Sequence, residues 1–209
     1  MFSLTDEDLR LRILGSADGP ASFNAEATRQ GIRVVSCDPI YRFTRVEIQD
    51  RIAATYDEVL EQTRQNAHEF VWGGAIQTIE DLGRVRMASM TTFLEDYDSG
   101  KAKGRYVAAE LPPLPFDDRA FDLALCSHFL FLYSSHLDEA FHLDAIREMS
   151  RVATDVRIFP LLTLNGEPSP FVDVCSQNLT EAGYEVAIET VAYEFQRGGN
   201  RMMRVRAKA

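Results

Sequence analysis

The stretch from Arg12 to Asp38, RILGSADGPASFNAEATRQGIRVVSCD, decides how this chain is read. A short apolar strand around Leu11 to Leu14 enters a turn holding Gly15 and Gly19. A helix-like segment runs on to Gly31, and Ile32 to Cys37 is a second, buried strand that Pro39 stops at Asp38. Pro20 suits the first helical position, and Phe23 and Ala27 supply the helix's apolar face. This order of elements makes the nucleotide corner of an α/β sheet. Glycines let the backbone approach a ligand closely, and an acid at the tip of the next strand accepts hydrogen bonds from both ribose hydroxyls. Asp38 falls close to the roughly 20 residues beyond the turn that such an acid needs. Taken alone, the G-x-A-x-G variant Gly15-Ser16-Ala17-Asp18-Gly19 also fits an ordinary strand-to-helix turn with no ligand.

A chain of 209 residues suits one well-cored α/β domain with an insertion. Its 22 Lys and Arg stand against 32 Asp and Glu, net −10, which argues against nucleic acid as the main partner because phosphate backbones are bound by clustered cations. Cys37, Cys126 and Cys175 are odd in number and far apart, the pattern of reduced core residues rather than a disulfide frame or metal ligands. Neither a signal segment nor an apolar run of about 18 residues is visible, so a cytoplasmic protein without a membrane segment is expected.

From Arg42 to about Lys103 the pattern turns helical. Thr44 and Glu47 form a capping box, and Ile48, Ile52, Tyr56 and Val59 recur at helical spacing. A second helix is expected from Thr78, capped by Asp81, carrying Leu82, Val85, Met90, Phe93 and Tyr97, and ending at Gly100. A crossover needs only one helix, so residues 42–103 read as a helical insertion. The insertion, with His68 to Gly74 between its helices, is either a lid hinged at Gly73-Gly74 or extra packing anchored by Trp72. A strand from Arg105 to Glu110 resumes the sheet. Helices around Phe141 to Met149 and Val172 to Leu179 alternate with a strand at Val156 to Leu162. Tyr184 to Phe195 and Met202 to Ala207 are expected to close the sheet as an antiparallel hairpin turned at Gln196 to Asn200.

The block Glu110 to His128, ELPPLPFDDRAFDLALCSH, places an acid after a strand, then L-P-F, a short acidic turn and an apolar strand ending in small polar residues. It resembles the middle of class I S-adenosylmethionine-dependent methyltransferases. The stretches DGPASFNAE, FDLALCSHFLFLYS, VRIFPLL and YEFQRGGN extend the likeness over nearly the whole chain, to a group of bacterial proteins of that class with no defined substrate. The resemblance implies a Rossmann-like three-layer α/β sandwich in a single domain spanning residues 1–209. It has a mostly parallel seven-stranded sheet, an antiparallel C-terminal hairpin and the helical insertion. It implies S-adenosyl-L-methionine as cofactor. Carried over residue by residue, Glu110 beside Leu111 meets the adenine amine, Asp38 beside Pro39 holds the ribose, and Gly15, Ser16, Ala17, Asp18 and Gly19 cradle the methionine part, with Ser127 at the fourth strand end. Two departures stand out. The acid that ends the first strand in the family is Ile13 or Gly15 here, with Asp18 as its substitute from another backbone position, and Ala17 replaces the middle glycine.

Methyl transfer from a sulfonium is an in-line displacement, so alignment and exclusion of water do most of the work, and a base is needed only for a protonated nucleophile. His128 is the candidate base, the alternative being a histidine that packs the pocket wall. Tyr133, Phe159 and Arg197 are candidate acceptor contacts. The expected function is methyl transfer to a small molecule, the second hypothesis being a methyltransferase-like domain that binds the cofactor, a nucleoside or a partner without transfer. A nicotinamide-dependent reductase would need an all-parallel sheet. The acceptor and the oligomeric state stay open.

Overall fold

The computed structural model describes residues 1–207. Its strands are β1 (Arg12–Ser16), β2 (Arg33–Cys37), β3 (Tyr106–Val107), β4 (Phe121–Ser127), β5 (Ala153–Phe159), β6 (Tyr184–Thr190) and β7 (Arg201–Ala207). They form one sheet in the order β3-β2-β1-β4-β5-β7-β6, with β1 to β5 parallel and β7 antiparallel to both its neighbours. The central strands are apolar along nearly their whole length because helices cover both faces. On one face, Leu14, Ala124, Val156 and Met203 pack against α4 (Glu139–Val152) and α5 (Val172–Glu181). On the other, Ile13, Val34, Leu125 and Met202 meet α1 (Phe23–Arg29) and the N-terminal segment from Phe2. No helix among the described residues is long and apolar enough to cross a membrane.

Both capping boxes form as the sequence dictates. Thr44 opens α2 (Arg45–Gln65) and Thr78 opens α3 (Ile79–Ala102). Phe93 and Tyr97 of α3 sink completely beside Tyr41 and Tyr106, a four-ring cluster with centroids 5.1 to 6.0 Å apart. Aromatic pairs of this kind add about 0.5–1.5 kcal/mol each beyond the area they bury. Tyr97 Oη donates to the carbonyls of Tyr41 and Phe43 at 2.9 and 2.8 Å, so α3 fixes the chain as it leaves β2.

Several boundaries differ from the sequence expectation, each for a tertiary reason. Pro20 lies outside α1, which starts at Phe23, because Ser22 N–H is drawn to Ser89 Oγ and Gly19 is held on both sides of its peptide. Gly100 does not end α3. It lies buried inside the helix against the Tyr106 ring, and the chain turns instead at Gly104, where φ is +73°. The third strand keeps only two paired residues before running free to Glu110. The antiparallel end is present, but β6 stops at Thr190 and residues 191–200 swing out as a loop. Phe195 stacks on Phe70 and meets Trp72 edge-on, while Val71 N–H donates to Phe195 O at 2.7 Å. The connection between α2 and α3 is thereby pinned to the far end of the sheet.

Gly100 yields a prediction with an unusual sign. Alanine normally stabilises a helix interior by about 1 kcal/mol over glycine. A Cβ here would stand 2.7 Å from Cδ2 of the buried Tyr106 ring. Gly100→Ala is therefore expected to cost about 1–3 kcal/mol through overpacking, seen as a lower urea midpoint at unchanged slope.

Candidate functional site

Four chain segments converge beyond the carboxyl ends of the parallel strands, where open α/β sheets place ligands. They are the turn after β1, the exit of β2, the loop after β3 and the exit of β4. Between them lies a cleft of about 640 Å³ lined by Ala17, Asp38, Pro39, Glu110, Leu111, His128 and Tyr133 from the sequence-predicted set. Cys37, Ile40, Ala109, Phe129, Leu137 and Phe141 complete the wall. Asp38 and Glu110 thus share one cavity, whereas Gly15, Ser16, Asp18, Gly19 and Ser127 are not among its lining residues.

Asp38 is buried and already occupied. Its Oδ2 accepts the Gly19 N–H and its Oδ1 the Ile40 N–H, each at 2.9 Å. Burial raises its pKa, and these two bonds oppose the rise. Tyr41 Oη donates to Gly19 O at 2.8 Å, so both sides of the Gly19 peptide are clamped by the β2 exit. Gly19 has φ +59°, and Ala17 takes φ +56° despite its side chain. The left-handed conformation costs a non-glycine residue about 1–2 kcal/mol. Glu110, by contrast, lines the same cleft as an exposed residue.

Asp18 reaches back to the end of β1. A side chain at Gly15 would run into the Asp18 carboxylate, which folds back over the end of β1 and accepts Ser36 Oγ at 2.5 Å. Gly15 is glycine because the acid arrives from three residues later. Desolvation pushes the Asp18 pKa from 3.8 up to about 6, the Ser36 bond opposing and the nearby Asp38 charge reinforcing the shift. Ser16 is buried at the end of β1, beside Cys37.

At the β4 exit His128 has φ +53°, and its backbone N–H donates to Phe159 O at 2.7 Å. Its Nδ1 lies 2.8 Å from Ser127 Oγ, which is also 3.5 Å from Met1 Sδ. Desolvation first, then the positive charges of Arg86 and the amino terminus, lower its pKa. Tyr133 faces the cleft. Phe159 does not: it is buried beneath His128, Tyr193 and Phe2. Arg197 is remote from the cleft, its guanidinium donating to the carbonyls of His68 and Phe70, where it secures the α2–α3 connection. Of the wall residues missed, Ile40 follows Pro39 directly and was legible by position, whereas Phe129 and Phe141 look like any core aromatics.

No family model matches the chain. A protein of Methanocaldococcus jannaschii, described as uncharacterized protein MJ0045, is 33% identical over 207 residues, covering 99% of this chain and 90% of that protein. The chain belongs to the MJ0045 family. Among solved structures, the magnesium protoporphyrin IX methyltransferase ChlM of Synechocystis PCC 6803 with bound SAM matches with a TM-score of 0.51 at 11% identity, over 97% of this chain and 73% of that one. The PH0226 protein of Pyrococcus horikoshii OT3 matches with a TM-score of 0.50 at 11% identity, over 95% and 82%. The likeness is one of fold, and the fold of this MJ0045-family chain is that of the class I S-adenosylmethionine-dependent methyltransferases.

The raised Asp18 pKa gives a pH signature. The folded state holds this proton more tightly than the unfolded chain, so the contribution is fully present below pH 3.8 and is lost as pH rises through about 6. Compared with Asp18→Asn, wild-type protein should lose about 3 kcal/mol of relative stability across that window, measured by urea unfolding at a series of pH values.

Proposed function

We propose that this protein is an S-adenosylmethionine-dependent methyltransferase acting on a small molecule. The observation that carries the proposal is the convergence of Asp38 and Glu110 on one cleft that Ala17, from the turn after β1, also lines. The donor set fits the cofactor. Asp38 keeps unused lone pairs for ribose hydroxyls beyond the two backbone bonds it accepts, and exposed Glu110 is free to take an adenine amine. Ile40, Ala109 and Leu111 offer apolar surface on either side of an adenine ring. Ala17, on the cleft wall, would meet the methionine part, and the Asp18 carboxylate behind it is bonded to Ser36. Bound there, S-adenosylmethionine supplies an electrophilic methyl group on a sulfonium.

The chain's own contribution is position and desolvation. Ser127 at Nδ1 orients the His128 ring, whose depressed pKa keeps it neutral at physiological pH and able to accept a proton from a hydroxyl or amine acceptor. Phe129, Tyr133, Leu137 and Phe141 make the neighbouring wall apolar, which excludes water from the nucleophile. The helical pair α2 and α3, held at its connection by the 191–200 loop, serves as the cover on the β2 side.

The second reading, a cofactor binder without transfer, is favoured by Ala17, whose methyl group enters the cleft where the family has a glycine. Calorimetric titration with S-adenosylmethionine and its demethylated product separates ligand binding from none. Asp38→Ala should weaken both by at least roughly tenfold. Glu110→Gln, at an exposed position, should weaken them about three- to tenfold with no change in the melting temperature. Consumption of S-adenosylmethionine in a metabolite extract then distinguishes the enzyme from the binder.

A further inference from the structure

A second cavity, of about 590 Å³, lies between α2, α3 and the β2 exit. Its wall on α2 is the apolar stripe Ile48, Ile52, Tyr56 and Val59, and Ile48 is the single buried residue of this 21-residue helix. A surface helix normally gains its stability by burying such a stripe against the core. Here Ile48 and Ile52 reach the aromatic cluster around Tyr41, while the stripe as a whole, through Tyr56 to Val59, also lines the pocket. Ile40 belongs to the walls of both cavities, so the pocket abuts the adenosyl cleft.

Two cations stand on this otherwise apolar wall, Arg51 and Arg86. Neither pairs with a carboxylate among the described residues, although most arginines of this acidic chain do. Glu47, the one acid on the wall, is committed to the Thr44 N–H and hydroxyl at 2.8 and 2.7 Å. Arg86 also lies near enough to His128 for its charge to be felt there, which links this pocket to the β4 exit.

We propose that the pocket between α2 and α3 binds a mostly apolar small molecule bearing an anionic group, its body on the Ile48–Val59 stripe and its anion on Arg51 and Arg86. This rests on the methyl-transfer reading only in naming the occupant as the acceptor. The guanidinium groups are positioning residues, supplying charge-assisted hydrogen bonds that orient the ligand.

The test is a fluorescence titration with 1-anilinonaphthalene-8-sulfonate, an apolar aromatic sulfonate, beside N-phenyl-1-naphthylamine, which has the same body without the charge. The sulfonate is expected to bind at one site per chain. Arg51→Met with Arg86→Met retains the apolar stems and should weaken the sulfonate roughly tenfold or more while leaving the neutral probe unchanged. Ile52→Trp, with unchanged circular dichroism, should fill the pocket and weaken both probes at least tenfold. Binding indifferent to Ile52→Trp, or arginine substitutions that affect both probes equally or neither, would overturn the proposal. No adenosyl compound is present in these titrations, so that failure leaves the cofactor cleft untouched. Failure of S-adenosylmethionine to bind in calorimetry would remove the acceptor role and leave the pocket standing.

Discussion

The Asp38 carboxylate is the constraint on which the rest of the site depends. One oxygen holds the N–H of Gly19 and the other the N–H of Ile40, so a single buried acid ties the turn after the first strand to the chain leaving the second. Tyr41, packed among Phe93, Tyr97 and Tyr106, completes the clamp from the carbonyl side of Gly19. The helical pair is therefore more than a cover. Its aromatic core sets the tyrosine that sets the turn, and the turn borders the cleft. Such second-layer support decides whether a binding constellation is held closely enough to work.

The two departures from the methyltransferase pattern have one physical explanation. An acid at the end of the first strand would project into the space that Asp18 now fills. Delivering that acid from within the turn requires glycine at position 15 and buries the Asp18 carboxylate, whose desolvation, reinforced by the Asp38 charge, raises its pKa. The left-handed Ala17 belongs to the same turn, and local strain of this kind is typical of ligand-binding turns.

What was legible in the sequence was whatever local chemistry determines. The capping boxes at Thr44 and Thr78, the apolar β4 and the acid at Asp38 announce themselves through spacing and residue type. What was not legible depends on partners distant in the chain. Gly100 has the look of a helix end and is in fact a contact for Tyr106; Arg197 has the look of an anion site and is in fact the anchor of the 68–70 carbonyls. Phe159 ends the strand next to β4, yet Phe2 and Tyr193 bury it away from the cleft. Pro20 shows the same principle at short range, since the clamp on Gly19 delays a helix that local propensity would begin earlier.

On the proposed reading, Asp38 and Glu110 grip one adenosyl group between them. A crystal structure of the protein with the demethylated cofactor product tests it most directly. Ribose hydroxyls on Asp38, the adenine amine facing Glu110 and the amino acid portion along Ala17 to Gly19 are expected. Density for the ligand elsewhere, or an Asp38 that keeps only its two backbone bonds while the cleft stays solvent-filled, would contradict it.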